Sequence, residues 1–223
     1  MRINIAIDGP SAAGKSTIAK ELAKILNYVH LDTGAMYRCT ALKALQSGIA
    51  LDDEVAVCEM LKNTDITLTP DGKVFLDGKD VSTDIRADEV SMAASDVSKL
   101  EKVREDLVAR QQEMAKAKGF IMDGRDIGTV VLKDAEVKIY MTASAYARAE
   151  RRYKQNIEKG IPTSDIETIA KEIAERDYQD MHREHSPLRK ADDATEIDTS
   201  DMTIPEVTEA IYQLCEKFLQ KEE

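Results

Sequence analysis

Gly9-Pro10-Ser11-Ala12-Ala13-Gly14-Lys15-Ser16 lies near the start of a 223-residue chain and decides how the rest of it is read. Ahead of it, Ile3, Ile5 and Ile7 with Ala6 make a short apolar stretch; behind it, Ile18, Leu22, Ala23 and Ile25 recur at helical spacing. Strand, tight turn and helix therefore follow one another. The eight residues fit G-x-x-x-x-G-K-[ST] in the setting that this motif requires. Its glycines let the backbone curl so that successive N–H groups face phosphate oxygens, and the helix N-terminus adds a favourable dipole. Lys15 would bridge the β- and γ-phosphates of a nucleotide, and Ser16 offers a hydroxyl to Mg²⁺; charge-assisted contacts of this kind contribute about 1.5–3 kcal/mol each.

Outward from this loop, β-type runs recur at Tyr28 to Leu31, Phe120 to Met122, Val137 to Met141 and Glu196 to Ile197, separated by helical stretches. Such alternation predicts an α/β fold, a five-stranded mostly parallel sheet with helices on both faces. One region breaks it. Asp65 to Leu68, then Pro70, Asp71 and Gly72, then Val74 to Leu76 with Asp77 and Gly78, is hairpin chemistry and predicts an inserted antiparallel lobe over about 64–82. A long helix is expected over Val97 to Lys118, with Leu100, Val103, Leu107 and Met114 on its apolar stripe and Arg104 on the margin. Ala145 to His185 is highly charged and reads as two helices joined near Gly160, Pro162 and Ser164, with Ser164 as N-cap and Glu167 three residues on, a pattern that suits a mobile flap. Pro205 to Leu219 reads as a packed helix through Val207, Ile211, Leu214 and Phe218.

Composition narrows the function classes. A net charge of −11, no tryptophan and 4% aromatic residues argue against a nucleic-acid partner, which demands an excess of Lys and Arg and stacking platforms. No apolar run approaches the length of a membrane span, and a cytoplasmic monomer is the expected setting. Cys39, Cys58 and Cys215 show no CxxC spacing and read as reduced thiols in helices.

The cations point to phosphoryl transfer. Arg38 follows the second strand, Arg125 lies in the Asp123-Gly124-Arg125-Asp126 turn after the third, and Arg148, Arg151 and Arg152 cluster on the flap. These are more cations than one triphosphate requires, and they suggest two phosphate-bearing substrates facing each other. A phosphate acceptor, already ionised at neutral pH, needs no general base, so His30, His182 and His185 are not required. Arg176, Asp180 and Arg183, spaced i, i+4, i+7, share one helical stripe, either as a solvated ion-pair ladder or as part of the site. Asp123 either acts on Mg²⁺ through water or pairs with Arg125. No Asn/Thr-Lys-x-Asp element of the kind that reads guanine is present.

Leu31-Asp32-Thr33-Gly34-Ala35-Met36-Tyr37-Arg38 and Asp123-Gly124-Arg125-Asp126-Ile127-Gly128-Thr129-Val130-Val131 resemble the bacterial cytidylate kinases, and the likeness runs through Ala94-Ser95, Val103-Arg104-Glu105 and Glu175-Arg176-Asp177 over nearly the whole chain. The resemblance implies a nucleoside monophosphate kinase fold in one domain, with an acceptor lobe over about 33–118 and an arginine-bearing lid over about 148–185. It implies transfer from Mg²⁺-ATP to CMP or dCMP. Gly9, Pro10, Ser11, Ala12, Ala13, Gly14, Lys15, Ser16, Thr17 and Arg151 would hold ATP; Lys15, Arg125, Arg148 and Arg152 would act in catalysis. Thr33, Arg38, Arg125 and Arg176 or Arg183 would surround the CMP phosphate, Ser95, Arg104 and Asp126 would read cytosine, and Asp180 would hold the ribose 2′-hydroxyl. The trio makes chemical sense, since a carboxylate takes the cytosine amine while Arg and Ser donate to N3 and O2. Thr33 stands where serine is frequent in the family and keeps the hydroxyl. The rival expectations are a loop kinase for UMP or shikimate, and an ATP-dependent switch that binds without transferring, which would carry no lid arginines.

Overall fold

The computed structural model describes residues 2–69, 71–158 and 160–219, with the side chain of Asp88 left out. The elements in order are β1 (Ile5–Asp8), α1 (Lys15–Leu26), β2 (Val29–Asp32), α2 (Thr33–Gln46), α3 (Glu54–Lys62), β3 (Ile66–Leu68), β4 (Val74–Leu76), β5 (Lys79–Asp80), α4 (Asp88–Val97), α5 (Glu101–Ala115), β6 (Phe120–Gly124), β7 (Val137–Thr142), α6 (Ala145–Glu158), α7 (Ile166–His182), β8 (Thr195–Asp198) and α8 (Ile204–Leu219). The expected five-stranded sheet is present in the order β2-β6-β1-β7-β8, beside a three-stranded sheet β3-β4-β5. The chain divides into two compact units, residues 1–28 with 118–223 and residues 29–117.

In the first unit β1 runs parallel to β6, with Ile7 opposite Asp123, and parallel to β7, with Ile7 opposite Ile139. Both faces of β1 are covered, so it reads apolar throughout rather than alternating. Ile3, Ile5 and Ile7 pack with Ile18, Leu22, Ile121, Ile139, Met141, Val207 and Ile211 into a core that joins the sheet to α1 and α8. Each such side chain withdrawn from water stabilises the fold by about 1.5–3 kcal/mol. The loop after β1 emerges where successive connections leave to opposite sides of that strand, the position at which open α/β sheets bind ligands.

Beyond β6 the chain enters a π-helical turn over Ile127–Val131. Buried Asp8 holds this turn, its Oδ1 accepting from the Ile127 N–H and its Oδ2 from the Gly128 N–H, each at 2.7 Å. Burial pushes the Asp8 carboxyl up to about 6 in spite of these two bonds.

The second unit corrects three expectations. The hairpin of β3 and β4 has the expected strands, but Asp77 and Gly78, at φ 49° and 80°, turn the chain again into the short β5. Pro70 of the expected turn lies outside the described residues. The predicted helix from Val97 to Lys118 is shorter: α5 spans Glu101–Ala115, Val97 is the last residue of the preceding α4, and Leu100, in extended conformation, is the N-cap of α5. Arg104 is buried rather than marginal. Arg110 of α5 ties the insert down through the carbonyls of Leu61 and Thr64, both at 2.8 Å. Lys43 of α2 pairs with Asp77 at 2.6 Å.

The flap of the first unit is two helices, as expected, but its cap is Asp165 and not Ser164: the Asp165 carboxylate accepts from the Thr168 N–H at 2.9 Å. Arg183 follows α7 in extended conformation, off the helical stripe that was expected to carry it. The three cysteines are free thiols in helices, as expected. No helix is long and apolar enough to cross a membrane among the described residues.

Removing the Asp8 carboxylate would orphan two buried amides. Asp8→Ala is expected to lower unfolding stability by about 2–4 kcal/mol, measured by urea denaturation. A loss below 1 kcal/mol, roughly the scale of an ordinary surface substitution, would show that the turn does not depend on Asp8.

Candidate active site

The loop between β1 and α1 keeps its shape by backbone means. Gly9, at φ 151°, passes so close to β7 that an added Cβ would lie 2.1 Å from the Met141 carbonyl oxygen, so no side chain fits there. Gly14, at φ 89°, is the N-cap of α1, and its carbonyl accepts from the Thr17 and Ile18 N–H groups, each at 3.1 Å. Ala12 takes a left-handed conformation at φ 57°. Lys15 Nζ donates to the Pro10 carbonyl at 2.7 Å. Burial first, and then the charge of Arg125, lower its pKa from 10.5 to about 7 against the pull of Asp123, Asp8 and Asp180.

Ser11 is the hub. Arg125 Nη2 donates to its hydroxyl at 3.0 Å, Arg148 Nη1 to its carbonyl at 2.9 Å, and its own N–H donates to Asp177 Oδ1 at 3.1 Å. Arg125 is held from its other side by Asp180, whose Oδ2 accepts from Nε at 2.7 Å. Burial opposes the Arg125 charge, but Asp180, with Asp177 and Asp123, outweighs it and raises the guanidinium pKa. Conversely, burial would raise the Asp180 carboxyl, and Arg125, Arg176 and Arg183 hold it below the ordinary carboxylate range. Arg183 Nη2 lies 3.7 Å from Asp126 Oδ1, and its Nε donates to the Ser186 carbonyl at 2.6 Å.

Ser16 Oγ donates to Asp123 Oδ2 at 2.7 Å. Asp123, expected either to act on Mg²⁺ through water or to pair with Arg125, thus hydrogen-bonds the residue expected to meet the metal. Hydroxyl and carboxylate together are hard oxygen donors that fit Mg²⁺.

The remaining flap arginines part company. Arg151 Nη1 donates to Thr199 Oγ1 at 3.2 Å, and its Nη2 to the carbonyls of Thr199 and Ser200 at the end of β8. Arg152 is exposed. Thus Arg125 and Arg148 meet at the loop, whereas among the described residues Arg151 and Arg152 make no hydrogen bond to it.

Within the second unit, Asp32 caps α2 by accepting from the Ala35 N–H at 3.1 Å and binds Arg38 Nη2 at 2.7 Å. Arg86 stands 4.0 Å from the same carboxylate, a cation that no sequence pattern singled out. Thr33 is buried at the first turn of α2. Buried Arg104 donates from Nη1 to the Ser98 carbonyl at 3.2 Å and lies 5.3 Å over the Tyr37 ring. The Ser95 carbonyl, near the end of α4, accepts from the Ser98 hydroxyl at 2.8 Å. Asp8, Asp32, Asp177 and Arg86 are the charged residues of these networks to which sequence reasoning gave no role. The signal available for Asp8 was its place immediately before the loop; for Asp177, its spacing of three from Asp180.

The fold is shared with a gluconokinase from Sinorhizobium meliloti 1021, at a TM-score of 0.51 and 13% identity over 100% of this chain and 98% of the other. A shikimate kinase from Bacteroides thetaiotaomicron gives a TM-score of 0.50 and 11% identity over 99% of both chains. Closer in sequence are the cytidylate kinase of Geobacillus sp. strain WCH70, 54% identical over 95% of this chain and 96% of its own length, and that of Bacillus subtilis strain 168, 51% identical over 97% of each. The cytidylate kinase family model matches residues 5–217, and the chain belongs to that family.

Proposed function

We propose that the chain transfers the γ-phosphoryl group of ATP to CMP or dCMP, giving ADP and CDP or dCDP. The observation that carries this is the seating of two arginines, Arg125 and Arg148, on Ser11 of a loop that already holds Lys15. A module that only bound ATP would have no need of them. Family membership names the acceptor.

Phosphoryl transfer asks the protein to position and neutralise. Gly9 to Thr17, the backbone of the loop and the first turn of α1, hold the donor phosphates, with Lys15 leaving the Pro10 carbonyl to reach them. Mg²⁺ entering with ATP would be held by Ser16 and, through water, by Asp123, and would neutralise phosphate charge. Arg125, Arg148 and Arg152 act on the transferring group, and Arg151 holds ATP from the flap. Thr33, Arg38, Arg125 and Arg176 or Arg183 take the acceptor phosphate; Ser95, Arg104 and Asp126 read cytosine; Asp180 takes the ribose. We assign the acceptor lobe to about 33–118 and the lid to about 148–185. The net charge of −11 supports a chain without nucleic-acid or membrane-surface partners and the three free thiols support a cytoplasmic setting, where we assign it as a monomer.

Steady-state ADP production across CMP, dCMP, UMP, AMP, GMP and shikimate tests the assignment. Turnover is expected with CMP and dCMP and at least about tenfold less kcat/KM with UMP, which sets an acceptor against the carboxylate. Asp126→Asn should narrow that ratio by about tenfold or more. No ADP with any acceptor would remove the kinase assignment, and equal use of UMP would remove the cytosine-reading trio. Asp180→Ala should lower activity with both nucleotides by loosening Arg125, and with CMP more than with dCMP. Equal losses would leave Asp180 as a partner of Arg125 only.

Lys15 gives a pH signature. In the free protein its pKa is lowered to about 7, and a bound triphosphate favours the ammonium form and raises it again. Binding of ATP above pH 7 therefore takes up a proton, and affinity falls as pH rises through that value. Calorimetric titration at pH 8 in two buffers of different ionisation enthalpy should show an uptake that Lys15→Met abolishes. No uptake in the wild type would contradict the lowered pKa.

A further inference from the structure

α7 presents two carboxylates on one face, Asp177 and Asp180, three residues apart. Asp180 serves Arg125. Asp177 has no part in the function assigned above, yet it closes a ring of contacts at the loop. Its Oδ2 accepts from Arg148 Nη1 at 2.6 Å, and its Oδ1 accepts from the Ser11 N–H at 3.1 Å. The same Nη1 donates to the Ser11 carbonyl at 2.9 Å, and Arg148 Nε donates to the Ala143 carbonyl at 2.9 Å. The side chains are 7% exposed at Arg148 and 10% at Asp177, so the pair is shielded from water.

Two features make this more than neutralisation of a buried charge. Nε and Nη1 are both tethered, while Nη2 takes no hydrogen-bond acceptor from the described residues, so the guanidinium is held at two of its nitrogens and Nη2 is left to a ligand. In addition, only a group with two acceptor oxygens can face both the Ser11 N–H and Arg148; an amide would turn a donor onto one of them. Packing reinforces the ring: Ala149 of α6 and Ile169 and Ile173 of α7 form a small apolar cluster against which Ala12 of the loop packs. Loop and flap helices are therefore joined twice, by a buried charge pair and by this cluster.

We propose that Asp177 is a positioning residue for phosphoryl transfer. It sets Arg148 against Ser11, so that Nη2 of the guanidinium meets the transferring group only while α7 lies on the loop. Resting on the phosphoryl-transfer assignment above, this adds a residue that touches no substrate and works through Arg148.

A double-mutant cycle on kcat separates that role from a structural one. Asp177→Asn should lower kcat about 10- to 100-fold, the scale of a catalytic group displaced by about 1 Å, with KM for CMP little changed. Arg148→Ala should lower it at least as far, and the double variant should be no slower than Arg148→Ala alone. Losses that multiply, or a folded Asp177→Asn variant within about twofold of wild-type kcat, would overturn the proposal. Thermal melting reports folding; if the Asn variant does not fold, Asp177→Glu, which keeps the charge but shifts it by one methylene, enters the same cycle with the same two outcomes. Wild-type turnover of CMP is read in the same assay: its absence removes the activity itself, whereas turnover with an additive cycle removes only the role of Asp177.

Discussion

Positive charge must be gathered around one turn of backbone before any phosphate arrives, and the rest of the first unit is arranged to make that possible. Lys15, Arg125 and Arg148 all donate hydrogen bonds to Pro10 or Ser11. Like charges at such range in a shielded site repel, and the lowering of Lys15 to about 7 records both the burial and the field of Arg125. Carboxylates restore the balance. Asp8 ends β1, Asp123 lies in β6, and Asp177 and Asp180 come from α7. Buried ion pairs of this kind contribute little net stability, because desolvation offsets attraction. Their effect here is orientation: Arg125 is held by Asp180 at Nε and reaches Ser11 with Nη2, and Arg148 is held by Asp177 at the same Nη1 that meets Ser11.

This arrangement also accounts for the fold around it. A parallel sheet brings the ends of β1, β6 and β7 to one rim, so that a loop, an arginine turn and the root of α6 lie together. Gly9 is compelled by the approach to Met141, and the π-helical turn is pinned by Asp8. The second unit obeys a similar rule on a smaller scale, with Asp32 capping α2 and orienting Arg38 from the same carboxylate.

Local patterns made much of this legible from sequence. The loop declared itself by spacing, the parallel sheet by alternation, and the insert by its turn residues. What escaped had partners far away in the chain or no local marker. Asp8 meets Gly128, 120 residues on, and Asp177 meets Ser11 at a separation of 166. The break between α4 and α5 falls on Ser98, Lys99 and Leu100, with neither proline nor glycine to announce it. β5 is two exposed residues, too short for any periodicity. Arg183 fitted a helical spacing that the chain abandons one residue earlier.

On the function proposed above, these cations serve two phosphate-bearing substrates at once. A bisubstrate compound that joins adenosine and cytidine through a pentaphosphate tests this most directly, by inhibition kinetics against ATP and CMP varied in turn. Competition with both is expected, with binding tighter than either nucleotide alone. Competition with ATP only would contradict it.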